Sequence, residues 1–166
     1  MDADTTPVEL LKRLTENIEY AMLTSRVRGG ALDSRPVQVL QIDADAAIWF
    51  FTNAASDKVG EIRSDPHVNL AFADTSHKRF VSVAGSAQIM TDPQKIDELW
   101  TPAQTVFFPR GRADPALALL KVVPDSARYW DGNESALGML LKFGKAVLRR
   151  EASDLGVSGR LDLQRK

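Results

Sequence analysis

The ten residues Trp49–Lys58, WFFTNAASDK, hold a strand, a loop and the opening of a helix in one short run. Ala46–Thr52 is apolar and aromatic between polar turns, which predicts a buried strand. Asn53–Ser56 then reads as a loop. Ser56 is placed to cap a short helix with Asp57 in its first turn and Val59 and Ile62 facing inward, and Asp65-Pro66 stops it. Two readings of this junction stand side by side. In one it is an anion site: unpaired N–H groups and the positive end of the helix dipole face the loop, Thr52 and Ser56 add hydroxyl donors, and Lys58 adds a full charge. In the other it is a plain strand–loop–helix, with Ser56 as cap and Lys58 in solvent.

Toward the N-terminus, Thr6, Pro7 and Glu9 form a capping box with a proline at the first helical position, and Leu11, Leu14 and Ile18 follow at helical spacing. Tyr20–Val27 reads as a strand, turned by Gly29-Gly30. Arg35–Ile42 alternates as a second strand before the turn at Asp43–Asp45. Toward the C-terminus, Val68–Ala73 and Arg79–Thr91 read as strands, with Gly85 where a bulge or bend falls. Asp92-Pro93 opens a helix carrying Ile96, Leu99 and Trp100, and Asp114-Pro115 repeats the device for Ala116–Leu120. Val122–Trp130 reads as a sixth strand interrupted by Pro124, and Ser135–Arg150 as an amphipathic helix before a polar tail. Six strands joined by turns too short for parallel crossovers predict an antiparallel sheet that closes, or nearly closes, into a small barrel with flanking helices. On this reading residues 1–132 form the barrel, and 133–166 are a C-terminal helix and tail of the same domain.

Composition narrows the chemistry. The chain has 166 residues, 44% hydrophobic and 26% charged, the profile of a single globular domain. With no cysteine, thiolate zinc sites, iron–sulfur clusters and thiol catalysis are excluded. His67 and His77 are the only two histidines, which argues against a histidine-rich metal centre and against a Ser-His-Asp arrangement. A formal net charge of -1 gives no global field toward nucleic acid, although residues 142–166 hold seven bases against three acids. No basic, apolar leader opens the chain, and no apolar run approaches the ~20 residues of a membrane span, so a cytoplasmic protein is expected.

Other candidate residues surround the first stretch. Arg35 begins a strand expected beside Ala46–Thr52, so its guanidinium is either a partner for the same anion or a surface charge. Val37, Gln38 and Val39 would set backbone groups along that edge, a common way to hold a flat heterocycle. Trp100, Phe107, Phe108 and Trp130 read as core or interface packing, with Trp130 at a strand end also suited to stack on a ring.

The ordered set FFTNAASDK, SDPHVNLAF, RFVSVAG and RYWDG resembles the general stress protein 26 family, among the pyridoxamine 5'-phosphate oxidase-like FMN-binding split barrels. The resemblance spans about Pro7–Gly132. It implies a mainly β fold, a six-stranded antiparallel split barrel, in a homodimer with FMN, or alternatively FAD, bound at the subunit interface. By position it implies that Lys58 holds the flavin phosphate, aided by Arg35 and by Ser56 or Thr52, while backbone groups of Val37, Gln38, Val39 and Phe51 lie along the isoalloxazine. Val81, Ser82 and Trp130 would come from the second subunit. The chain departs from the oxidases proper: Leu40 stands where they carry a lysine for the substrate phosphate, and their C-terminal substrate signature is missing. The implied function is a flavin-binding stress protein, an oxidoreductase drawing on a nicotinamide or another small electron donor. The alternatives are a non-catalytic flavin module or sensor, and a deazaflavin-dependent reductase.

Overall fold

The computed structural model describes residues 5–132, 149–153 and 156–164. The chain runs α1 (Pro7–Thr15), β1 (Tyr20–Arg26), β2 (Leu32–Gln38), β3 (Gln41–Ile42), β4 (Ile48–Asn53), α2 (Asp57–Ser64), β5 (His67–Asp74), β6 (Arg79–Met90) and α3 (Pro93–Leu99). Two 3-10 turns, 102–106 and 111–113, precede β7 (Leu117–Asp131), β8 (Arg149–Ser153) and β9 (Gly156–Asp162).

All strands pair antiparallel, in the order β2-β1-β5-β6-β7-β4-β3, with β9 on β7 and β8 on β9. β2 and β3 sit at opposite ends of that order yet are neighbours in sequence. The chain therefore closes the sheet on itself at the corner Val39–Leu40, where the Val39 N–H donates to Glu19 O (2.8 Å) and the Leu40 N–H to Trp49 O (2.9 Å). The single strand expected over Arg35–Ile42 is thus two short ones, because its two halves serve different neighbours.

The interior collects every second residue of the strands: Ala21 and Leu23 of β1, Ile48 and Phe50 of β4, Leu70 and Phe72 of β5, Val81 and Val83 of β6, and Ala127 and Tyr129 of β7. Helix α1 caps it with Leu10, Leu11 and Leu14, all buried. The capping box is formed, with Glu9 N–H donating to Thr6 Oγ1 (3.2 Å) and Thr6 N–H to a Glu9 carboxylate oxygen (2.7 Å). A second cluster lies on the other face of β4 and β7, where Trp49, Leu117 and Leu119 meet Ile96 and Leu99 of α3 and Phe108.

The bend of the barrel is written at Gly85. The β6–β7 register shifts between Ala84 and Gly85, opposite Pro124, which has no N–H to give to the ladder. A Cβ on Gly85 would collide with the Val123 carbonyl oxygen and stand 2.9 Å from Pro124 Cα, so this close approach admits glycine alone.

Three expectations are corrected. Ala116–Leu120 is not a helix: Leu117–Asp131 is one continuous strand, and Leu117–Leu120 are buried between β4 and β6. An apolar run of this length has no period of its own, and two strand partners decided it. Pro124 does not interrupt that strand because it falls at the bulge. The polar tail is not free, since Gly156–Asp162 pairs with Ser126–Asp131 and the ring of Tyr129 occupies the place where a Cβ on residue 159 would lie. Of the expected helix Ser135–Arg150, residues 133–148 lie outside the described residues, and Arg149–Arg150 belong to β8. Among the described residues no helix is long and apolar enough to cross a membrane.

Candidate functional site

Alternation along β4 turns Ile48, Phe50 and Thr52 toward the interior. Thr52 is buried, and its Oγ1 has no hydrogen-bond partner among the described residues. Four residues on, Ser56 occupies the N-cap position of α2 with extended φ/ψ, but its side chain makes no capping bond, and its Oγ is likewise buried and unpartnered. Leaving a buried hydroxyl unsatisfied costs about 1–3 kcal/mol. Two such groups within five residues, beside the helix end whose first N–H groups lack an intrahelical acceptor, make a contiguous set of candidate donors.

Lys58 completes the set. It is partly buried and makes no ion pair among the described residues. Burial pushes its ammonium below the usual lysine range, the Arg35 charge pushes in the same direction, and Glu61 opposes them. An anion placed here would satisfy the hydroxyls and favour the charged form of the lysine.

Arg35 is near this cluster but differently employed. Its Nη2 donates to Asp33 and to Glu61, both at 2.8 Å, and its Nη1 to Ser25 Oγ. Ser25 Oγ in turn donates to Glu61 (2.6 Å). With 19% of the Arg35 side chain and 13% of the Glu61 side chain exposed, this network ties β1, β2 and α2 together. It holds α2 at the barrel mouth and leaves Arg35 only Nε and one Nη1 hydrogen for a ligand. Glu61, Ser25 and Asp33 were not found from sequence. The available signal was Glu61 three residues after Lys58, on the same helix face.

Val37 is buried in the core, and the Val39 N–H is already donated to Glu19 O (2.8 Å). Gln38 lies at the barrel corner, where its Oε1 accepts from Gln104 Nε2 (3.4 Å). The Phe51 ring packs in the second cluster against Trp100 (centroids 5.9 Å apart) and Phe108 (6.2 Å). Its backbone lies beyond the last β3–β4 pair, Gln41–Trp49, so among the described residues no strand pairs with the β4 edge from Phe51 to Asn53 on that side. That edge leads into the Thr52–Lys58 junction.

Val81, Ser82 and Trp130 are not brought to this junction within one chain. Val81 is buried and flanked by β5 and β7. Ser82 sits on the outer face, accepting from Asn69 Nδ2 (2.9 Å). Trp130 shares that face, with the Arg128 guanidinium 5.6 Å from its ring centroid. Met22 and Tyr20 belong to the same face and are 42% and 54% exposed.

Known proteins resemble this chain over most of its length. A family model described as "Pyridoxamine 5'-phosphate oxidase like" matches residues 6–154. The general stress FMN/FAD binding protein from Xanthomonas citri is 32% identical, covering 76% of this chain and 89% of its own, with a TM-score of 0.65. A protein from Clostridium acetobutylicum related to general stress protein 26 superposes with a TM-score of 0.67 over 76% of this chain and 89% of its own, at 20% identity. Protein bli-3 of Neurospora crassa is 25% identical over 150 residues, 84% of this chain and 71% of that protein. A curled antiparallel half-barrel with a few helices is the split barrel of these neighbours, and the chain belongs to the pyridoxamine 5'-phosphate oxidase-like family.

Proposed function

We propose that this protein binds FMN through its phosphate at Thr52, Ser56 and Lys58, and that it acts as a stress-response oxidoreductase. The observation that carries the reading is the pair of buried hydroxyls on Thr52 and Ser56 beside Lys58, all three without a partner among the described residues. A phosphate monoester supplies acceptors for all three, and the residues present therefore fit the group. The ring would lie along the open β4 edge from Phe51 toward Gln38, with Arg35 holding α2 in place rather than gripping the phosphate. When bound, a flavin supplies a ring that accepts and returns a hydride or single electrons; the protein contributes orientation and electrostatics.

The outer face bearing Ser82 and Trp130 is where a second copy of the chain would complete the site, its exposed Met22 and Tyr20 becoming buried. A reduced nicotinamide or another small donor would supply electrons. Pyridoxamine phosphate is not the expected substrate, since Leu40 packs against the second cluster and offers no charge to a substrate phosphate. The Xanthomonas citri relative is named for both FMN and FAD, so either form is to be tried.

The test is the visible spectrum of the purified protein after addition of FMN and gel filtration, with riboflavin in parallel. The proposal expects retained FMN near one per chain, weaker retention of riboflavin, and oxidation of a reduced nicotinamide faster than by free FMN. Equal affinity for riboflavin removes the phosphate assignment. Retention of flavin without turnover leaves a binding module or sensor.

A further inference from the structure

Lys58 stands in the first turn of α2 with no ion pair among the described residues, next to two buried hydroxyls that lack partners of their own. We propose that Lys58 is a modification site: its amine takes the acyl group of a small acyl phosphate whose phosphoryl end docks at Thr52 and Ser56. The proposal rests on the phosphate site described above and adds a covalent switch to it.

The docking half follows from the donors. Thr52 Oγ1 and Ser56 Oγ are buried without a partner among the described residues, and the first N–H groups of α2 lack intrahelical acceptors. A phosphoryl dianion accepts from both kinds of group. Access is open, because Ala54, Ala55, Ser56 and Asp57 line a cleft of about 960 Å³ beside α2, through which a small reagent reaches this loop from solvent. In an acyl phosphate a single bridging oxygen separates the phosphorus from the carbonyl carbon. A phosphoryl group held beside Lys58 therefore brings the electrophile to the amine.

The reactive half follows from the charges around Lys58. A lysine is a nucleophile only as the neutral amine, and a cation in the first turn of a helix meets the positive end of the helix dipole. Arg35 of β2 repels the ammonium as well. Glu61 is the counter-charge, but it is already bound to Arg35 at 2.8 Å and accepts from Ser25. Of the neighbouring acids, Asp33 is bound to Arg35, and Asp57 is exposed at the helix start. Partial burial and Arg35 thus hold Lys58 below the usual lysine range and enlarge its neutral fraction. Other lysines are differently placed: Lys95 Nζ donates to Gln41 (2.6 Å) and Glu98 (2.9 Å), and Lys78 is exposed.

In the reaction, neutral Lys58 Nζ attacks the carbonyl carbon, an N–C bond forms, and the C–O bond to phosphate breaks. Phosphate leaves with that electron pair and, as hydrogen phosphate, with the proton the amine loses. The product amide carries no charge to offer a phosphate. Acylation and binding of a cofactor phosphate at this site therefore exclude each other.

The experiment incubates the full-length protein with acetyl phosphate and follows each lysine by peptide mass spectrometry, with acetic anhydride as a reagent that lacks the phosphoryl group. Lys58 is expected to acetylate at least about tenfold faster than Lys78, a small part of what positioning a reagent beside its nucleophile can supply. Inorganic phosphate and FMN should each suppress Lys58 and leave Lys78 unchanged, and Thr52→Val should slow Lys58 alone. With the anhydride the preference should shrink, and protein acetylated at Lys58 should retain less FMN after gel filtration. A Lys58 no faster than Lys78, or one equally preferred by the anhydride, overturns the proposal. If FMN binds and Lys58 shows no preference, the modification site fails and the phosphate site stands. If inorganic phosphate suppresses Lys58 and FMN does not, the modification site stands and the flavin reading falls.

Discussion

Replacing Thr52 by valine should move stability and cofactor binding in opposite directions. The Thr52 side chain is 3% exposed and its hydroxyl is buried without a partner, so in the cofactor-free protein that oxygen is a net cost. Valine keeps the shape and removes the polar atom. The gain is expected at about 1 kcal/mol, the low end of the 1–3 kcal/mol charged for an unsatisfied buried group. For a domain of this size that raises the melting temperature by about 2–4 °C. In the complex the same hydroxyl donates to a phosphate oxygen, and losing a bond to a charged acceptor costs about 1.5–3 kcal/mol, roughly 10- to 150-fold in Kd at 25 °C. Differential scanning fluorimetry of the cofactor-free protein and isothermal titration with FMN read the two arms. A variant that melts lower without cofactor, or that binds FMN unchanged, refutes the reasoning, since Thr52 would then be an ordinary structural threonine.

Lys58→Ala should weaken FMN by about 1.5–3 kcal/mol, with little effect on riboflavin. Because burial and Arg35 hold the Lys58 pKa below the ordinary lysine value and a bound phosphate raises it again, FMN affinity is complete below that depressed pKa. It declines as pH rises through that depressed pKa, and titrations of wild type and variant across alkaline pH should diverge in this way. Glu61→Gln removes a carboxylate from Arg35 and lowers the Lys58 pKa further; the free protein should lose about 1–2 kcal/mol in urea melts, discounted for partial exposure, while FMN binds more tightly at neutral pH. Gly85→Ala drives a methyl into the Val123–Pro124 backbone and should cost about 3 kcal/mol by chemical denaturation, with FMN affinity falling only through the loss of folded protein.

The local pieces were legible because their causes are local. Thr6, Pro7 and Glu9 form the capping box within four residues of chain, Asp65-Pro66 ends α2, and Gly85 marks the bulge opposite a proline that cannot join the ladder. The Thr52–Lys58 junction was equally visible, since strand end, loop and helix start are contiguous and each residue type has a reason to be there. The resemblance to the family rests on that same stretch and on RFVSVAG.

What the sequence could not say depends on partners distant along the chain. Leu117–Leu120 follow an Asp-Pro that could cap a helix, yet they are strand because β4 and β6 cover both edges. Residues 156–162 look like a polar tail until β7 offers them an edge and Tyr129 fills the space that a side chain at residue 159 would need. Arg35 was readable as a phosphate ligand, but Glu61, 26 residues away, Asp33 and Ser25 take three of its five N–H donors. Ser56 was readable as a helix cap, but its hydroxyl is left bare. Composition and spacing thus determined which groups this protein carries and where short elements start and stop. Tertiary structure decided which of those groups are satisfied and which are left without a partner among the described residues, because a hydrogen bond or an ion pair belongs to whichever partner folding brings within reach.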